Sequence, residues 1–139
     1  MTSLLFFLVI GAAAALAFGK LAGMQPRLIG LGLVIAAIIY VGFAAVGHPA
    51  WLGIEFIGVL IYGVFTWLGL RKNLIWLAIG WALHMLWDVA LHSTGTGASF
   101  TPGWYVAACI GFDLAIAGMV VYYLRHQNRP LETDTAHLS

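Results

Sequence analysis

Long apolar runs alternate with short polar breaks along this chain, and the breaks divide it into five segments. The first run covers residues 3–19 and is closed by Lys20, Gln25 and Pro26; the second covers 28–46 and is closed by Gly47, His48 and Pro49. The third extends over 51–70 and stops at Arg71 and Lys72. The fourth is 74–92, followed by a polar, glycine-bearing stretch, 93–101, that reads as a loop. The fifth opens with Pro102, suited to a first helical turn, and runs to Leu124. Each run approaches the ~20 residues a helix needs to cross a bilayer core. The pattern predicts an all-α integral membrane domain over 1–124, a bundle of five transmembrane helices. Residues 125–139 turn polar and charged and are expected to form a short disordered tail. The first run lacks a basic leader and exceeds the apolar core of a signal peptide, so it is expected to remain as a span.

Composition supports the membrane assignment and removes several function classes. With 63% hydrophobic and 8% charged residues in 139, the chain cannot clothe a soluble globule of its size. Its single cysteine, Cys109, excludes an internal disulfide and any cysteine-only metal cluster within one chain. The net charge of +1 and the lack of a basic patch give no footing for nucleic acid. Lipid is the expected environment, and a second copy of the chain is a possible partner.

All six Lys and Arg residues, Lys20, Arg27, Arg71, Lys72, Arg125 and Arg129, fall on one side of the predicted topology. The positive-inside rule then places the N-terminus outside and the C-terminus in the cytoplasm. Trp51, Trp76, Trp104, Tyr122 and Tyr123 lie near span ends, where aromatic side chains settle at the interface. His48 reads as a loop residue, and His126 and His137 belong to the tail.

The chemistry gathers on the fourth run. IGWALHMLWDVALH places His84, Asp88 and His92 at i, i+4 and i+8, on one face of a helix. At ~1.5 Å per residue, His92 is expected at the outer surface, Asp88 about 6 Å below it and His84 near the midplane. Glu55 on the third span should lie at about the depth of Asp88, and Asp113 on the fifth near that of His84. Tyr105 falls near the outer interface with Cys109 beneath it. The ionisable groups therefore outline a polar funnel opening outward.

Glu55, Asp88 and Asp113 face no Lys or Arg at comparable depth. Their charge must be relieved by protons, by imidazolium or by a metal ion. Protonated carboxyls beside an imidazole make a general acid/base site. Carboxylates and imidazoles around an ion make a site for Zn, Mn or Fe. A metal could use His84, Asp88 and Asp113, or Asp88, His92 and Glu55, with Asp88 bridging the two. His84 and His92, ~12 Å apart along a regular helix, could not share one ion. A structural role also accounts for some of these residues: interhelical hydrogen bonds in membranes are worth ~0.6 kcal/mol each. His92 reads more readily as an interfacial polar residue than as a ligand, and Cys109 as a small packed residue. Tyr40 and Tyr62 lie mid-span and need hydroxyl partners. Glycines such as Gly58, Gly80 and Gly111 allow close helix approach.

The run GWALHMLWD with His92 after it, Glu55 after Trp51, the mid-span Tyr40, and the C-x-x-x-D of Cys109 and Asp113 together resemble a family of small bacterial membrane proteins known only as a domain of unknown function. The resemblance covers about residues 40–117. It implies a bacterial cell membrane, a shared site and no particular reaction. The family pattern is GW-x-L-H-x-x-W-D with histidines after it, then C-x-x-C-D. This chain has Leu91 where the pattern has the first histidine of a pair, and Phe112 where it has a second cysteine.

The leading expectation is an enzyme that isomerises, cyclises or hydrates a hydrophobic, lipid- or isoprenoid-like substrate without a cofactor. Asp113 or Asp88 would be the proton donor, His84 the orienter or base and Glu55 a second acid/base group. Trp81 and Trp87 would be aromatic walls able to stabilise a developing cation; Tyr40, Tyr62, Tyr105 and Cys109 would complete the substrate's surroundings. The alternatives are a metal-dependent lipid hydrolase or metal carrier using His84, Asp88, His92, Asp113 and Glu55, and a non-enzymatic lipid-binding or assembly subunit. The metal-free version takes precedence because Leu91 and Phe112 remove two potential ligands.

Overall fold

The structure is a computed structural model that describes residues 2–127, and it is an all-α bundle. Its helices are α1 (Thr2–Leu21), α2 (Pro26–Gly47), α3 (Leu52–Arg71), α4 (Ile75–Trp87), α5 (Gly95–Phe100) and α6 (Gly103–Gln127). Five segments are long and apolar enough to cross a membrane: α1, α2, α3 with the 3-10 turn Pro49–Trp51 before it, α4 with the π-helical turn Asp88–His92 after it, and α6. No strand occurs among the described residues.

The sequence pattern and the helices differ mainly at the breaks. Pro26 occupies the first turn of α2, two residues before the expected start, because a first-turn residue needs no amide donor. The expected loop 93–101 contains α5. It folds back on the π turn and sets Phe100 against His48 and edge-on to Trp51, in the α2–α3 connection. Gly97 permits this, since a Cβ there would collide with the carbonyl of Leu91. Helix α6 begins at Gly103, with Pro102 supplying the carbonyl that accepts from Tyr105 and Val106, and it continues through Arg125 to Gln127. These last three residues are therefore helical rather than part of a disordered tail; residues 128–139 of the expected tail lie outside the described residues.

The burial pattern is that of a protein turned toward lipid. Leu5, Phe6, Ile35, Phe56, Leu60 and Leu114 are exposed, while Glu55, His84, Asp88, His92 and Asp113 are buried. An apolar exterior costs nothing in hydrocarbon, whereas a lipid-facing carboxyl would, so the polar groups turn inward.

Helix neighbours follow the order α2, α3, α4, α6, α1, and this row curls so that α1 and α2 come to face each other across a seam. Although residues 22–25 join them directly, α1 and α2 barely pack on one another. The closest packing is α1 on α6. Gly11 faces the carbonyl of Ala108 and Gly111 that of Leu8, with no room for a Cβ at either position. Without a hydrophobic force between helices in lipid, such backbone proximity is what holds them.

Candidate functional site

Helix α4 sets the site, because its regular turns carry His84 inward and the π turn after it re-aims Asp88 and His92. The amide of Asp88 is shared between the carbonyls of His84 and Met85, an α-type and a 3-10-type bond, and the π turn Asp88–His92 follows directly. All three side chains are at most 1% exposed. His84 Nδ1 lies 2.7 Å from Asp113 Oδ2 on α6, a direct hydrogen bond. His92 Nε2 lies 3.0 Å from Glu55 Oε1 on α3. Asp88 Oδ1 sits between the two imidazoles, 3.8 Å from His84 Nδ1 and 4.0 Å from His92 Nδ1. Neither oxygen of Asp88 has a hydrogen-bond partner, nor does His92 Nδ1.

The result is a buried row of alternating carboxyl and imidazole groups, in the order Glu55, His92, Asp88, His84, Asp113. Three of them, His84, Asp88 and Asp113, bring their ligand-type atoms within 4.8 Å of one another. The pairing of Asp113 with the level of His84 matches the depth read from the sequence. The Glu55 side chain reaches His92, one turn beyond Asp88. His92, the last residue of its span, is buried and stacked at 4.1 Å on the ring of Tyr40. The sequence contained a signal for this, the i+4 register of His92 with Asp88.

The aromatic residues divide around this row. Tyr40 packs its ring on His92 and against Tyr105, and its hydroxyl has no hydrogen-bond partner. Tyr62 sets its edge on His84 at 4.9 Å and donates its hydroxyl to the carbonyl of Leu83. Trp81 is buried between His84 and Phe112, with an unpaired indole N–H. Trp87 lies on the α3 side, against Tyr62 and Gly58.

Two cavities flank the row. One, of 380 Å³, occupies the seam between α1 and α2. Ile10, Phe18, Ile35 and Ile39 form its sides, and Trp81, Tyr105, Cys109, Phe112 and Asp113 form its inner wall. The other, of 410 Å³, lies between the start of α1, α5 and the start of α6, and is lined by His92, Ser93 and Thr101 among apolar residues. Trp87, Tyr62 and Glu55 border neither. Phe18 and Phe112 were not singled out from the sequence, since an aromatic residue in an apolar run carries no sign of which cavity it will face.

The chain belongs to a family described as a family of unknown function, DUF6010, whose sequence profile matches residues 2–127. That span takes in the first helix as well as the motif-bearing region, so the shared architecture extends over the whole bundle. No curated protein and no solved structure matches the chain.

Proposed function

We propose that the protein is an intramembrane acid/base enzyme whose substrate is a hydrophobic molecule entering from the lipid through the α1–α2 seam. The observation that carries this reading is the position of Asp113. It is buried, hydrogen-bonded to His84, and forms part of the inner wall of a cleft otherwise lined almost entirely by apolar and aromatic side chains. A proton donor at the end of an apolar slot is suited to protonating a carbon–carbon double bond or a polar group on a lipid-borne molecule. Trp81, Phe112 and Tyr105 would face the charge that develops. Isomerisation, cyclisation and hydration all begin with that step. The basic end of the bundle, with Lys20, Arg27, Arg71, Lys72 and Arg125, would face the cytoplasm, and α5 the opposite side.

The distances support relief of the carboxyl charge by protons over relief by a metal. Two atoms ligating one ion at about 2.0–2.2 Å in tetrahedral geometry lie roughly 3.3–3.6 Å apart. His84 and Asp113 are closer than that, and so are His92 and Glu55. One proton shared between His84 and Asp113, one shared between His92 and Glu55, and one on Asp88 would balance the three carboxyl charges and leave Asp113 able to donate. A metal reading has its own support in the open spacing around Asp88, and the two differ in metal content and in the effect of removing that residue.

The test is to block the cleft without touching the polar row. Ala36→Trp places an indole in the seam. Lipid extracts of cells making the native protein are expected to contain a species whose level falls to background with Ala36→Trp, while the bundle remains folded and membrane-bound. Extracts indistinguishable between native protein and empty membranes would remove the enzymatic reading.

A further inference from the structure

We propose that His92 and Asp88 form a proton path linking the cavity at the α5 end to the Asp113–His84 pair, with Glu55 holding the charge on His92. The inference rests on the acid/base reading of Asp113, and it answers a difficulty that reading creates. An acid buried in lipid that has given up its proton has no water from which to recover it.

The second cavity supplies an entry. It is large enough for several waters, and Ser93, Thr101 and His92 give it polar partners. The hydroxyl of Thr101 is buried there with no partner in the protein. His92 then has the two faces a relay needs. Its Nε2–H donates to Glu55, which stabilises the imidazolium, and its unpartnered Nδ1 is directed toward Asp88.

Asp88 is the moving part. Both of its oxygens are unpartnered, and Oδ1 is almost equidistant from the two imidazole nitrogens. Either distance is within a side-chain rotation of a hydrogen bond but beyond one as it stands. A carboxyl fixed in one hydrogen bond could not serve both neighbours, and one held between them can alternate. The π turn produces this placement, since it inserts slack where Asp88 leaves α4.

The transfers balance as follows. His84 Nδ1–H gives its proton to Asp113 Oδ2, and protonated Asp88 turns and refills the emptied Nδ1. Asp88 Oδ1 then takes the Nδ1 proton of imidazolium His92, and His92 regains one from water in the cavity. Each intermediate group ends as it began, and one proton has moved from water to Asp113. The groups facing the path are Glu55 from α3, Tyr62 from α3, Tyr40 from α2 and Asp113 from α6.

Hydrogen–deuterium exchange at the ring nitrogens tests this without a substrate. Full-length protein carrying ¹⁵N-histidine, in lipid bilayers, is transferred to D2O and the His84 N–H followed by solid-state NMR. Exchange is expected to slow about tenfold or more in His92→Gln, whose amide can still reach Glu55 but cannot relay a proton, and likewise in Asp88→Asn. Ala98→Phe, which fills the α5-end cavity away from the row, should slow it as well. Backbone amide exchange in the same samples reports whether each variant is folded. Unchanged His84 exchange in folded His92→Gln or Asp88→Asn protein would overturn the path, as would stoichiometric metal at Asp88. Because turnover is not read, loss of the enzymatic reading registers separately, in the lipid extracts.

Discussion

Replacing Asp113 by Asn is expected to leave a folded, membrane-inserted bundle that no longer converts its substrate. The amide has the size of the carboxyl and can still hydrogen-bond His84 Nδ1, so the 2.7 Å contact between α4 and α6 survives. What is lost is the proton. Positioned acid/base groups contribute typically 10²–10⁴-fold to rate, and turnover should fall by about that factor. The species that disappears from lipid extracts should be the same one that disappears with Ala36→Trp, because one variant removes the donor and the other the access. An Asp113→Asn protein that retains full turnover would transfer the donor role away from α6.

Asp88→Val is expected to stabilise the protein. A fully buried carboxyl with no hydrogen bond to either oxygen keeps most of its desolvation penalty, and removing such a group returns about 1–3 kcal/mol. His84→Ala should act in the opposite direction, by about 3–5 kcal/mol, since it strands Asp113 without its partner. Unfolding midpoints in one detergent would give both signs. A site that keeps a costly, unsatisfied acid at its centre is giving up stability for function. Loss of stability in Asp88→Val would mean that a bound partner, an ion above all, normally satisfies that carboxyl.

How much of this was legible in the sequence depends on what each segment had to reveal. Glu55, His84, Asp88 and Asp113 were recognisable because an acid or imidazole in an apolar run has few ways to be accommodated, and helical pitch alone put His84 and Asp88 on one face. The pairing of His84 with Asp113 followed from depth counting. The seam between α1 and α2 was not legible, because helices that are apolar on every side carry no periodicity to say which face meets which neighbour. Nor was the role of His92. It depends on the π turn, which arises where α5 folds back over Gly97, and a six-residue helix within a polar, glycine-bearing stretch looks like a loop. Trp87 was grouped with Trp81 by sequence proximity, yet six positions along α4 turn it toward Tyr62 and away from the cleft.

The measurement closest to the centre of this account is the metal content of the native protein, purified from membranes in detergent without added metal or chelator. If protons and imidazoles neutralise Glu55, Asp88 and Asp113, Zn, Mn and Fe should each be far below one equivalent per chain. Chelator treatment should then change neither the unfolding midpoint nor turnover. One equivalent of any of these metals, lost together with stability in Asp88→Asn, would contradict the account and make the His84, Asp88, Asp113 group a metal centre.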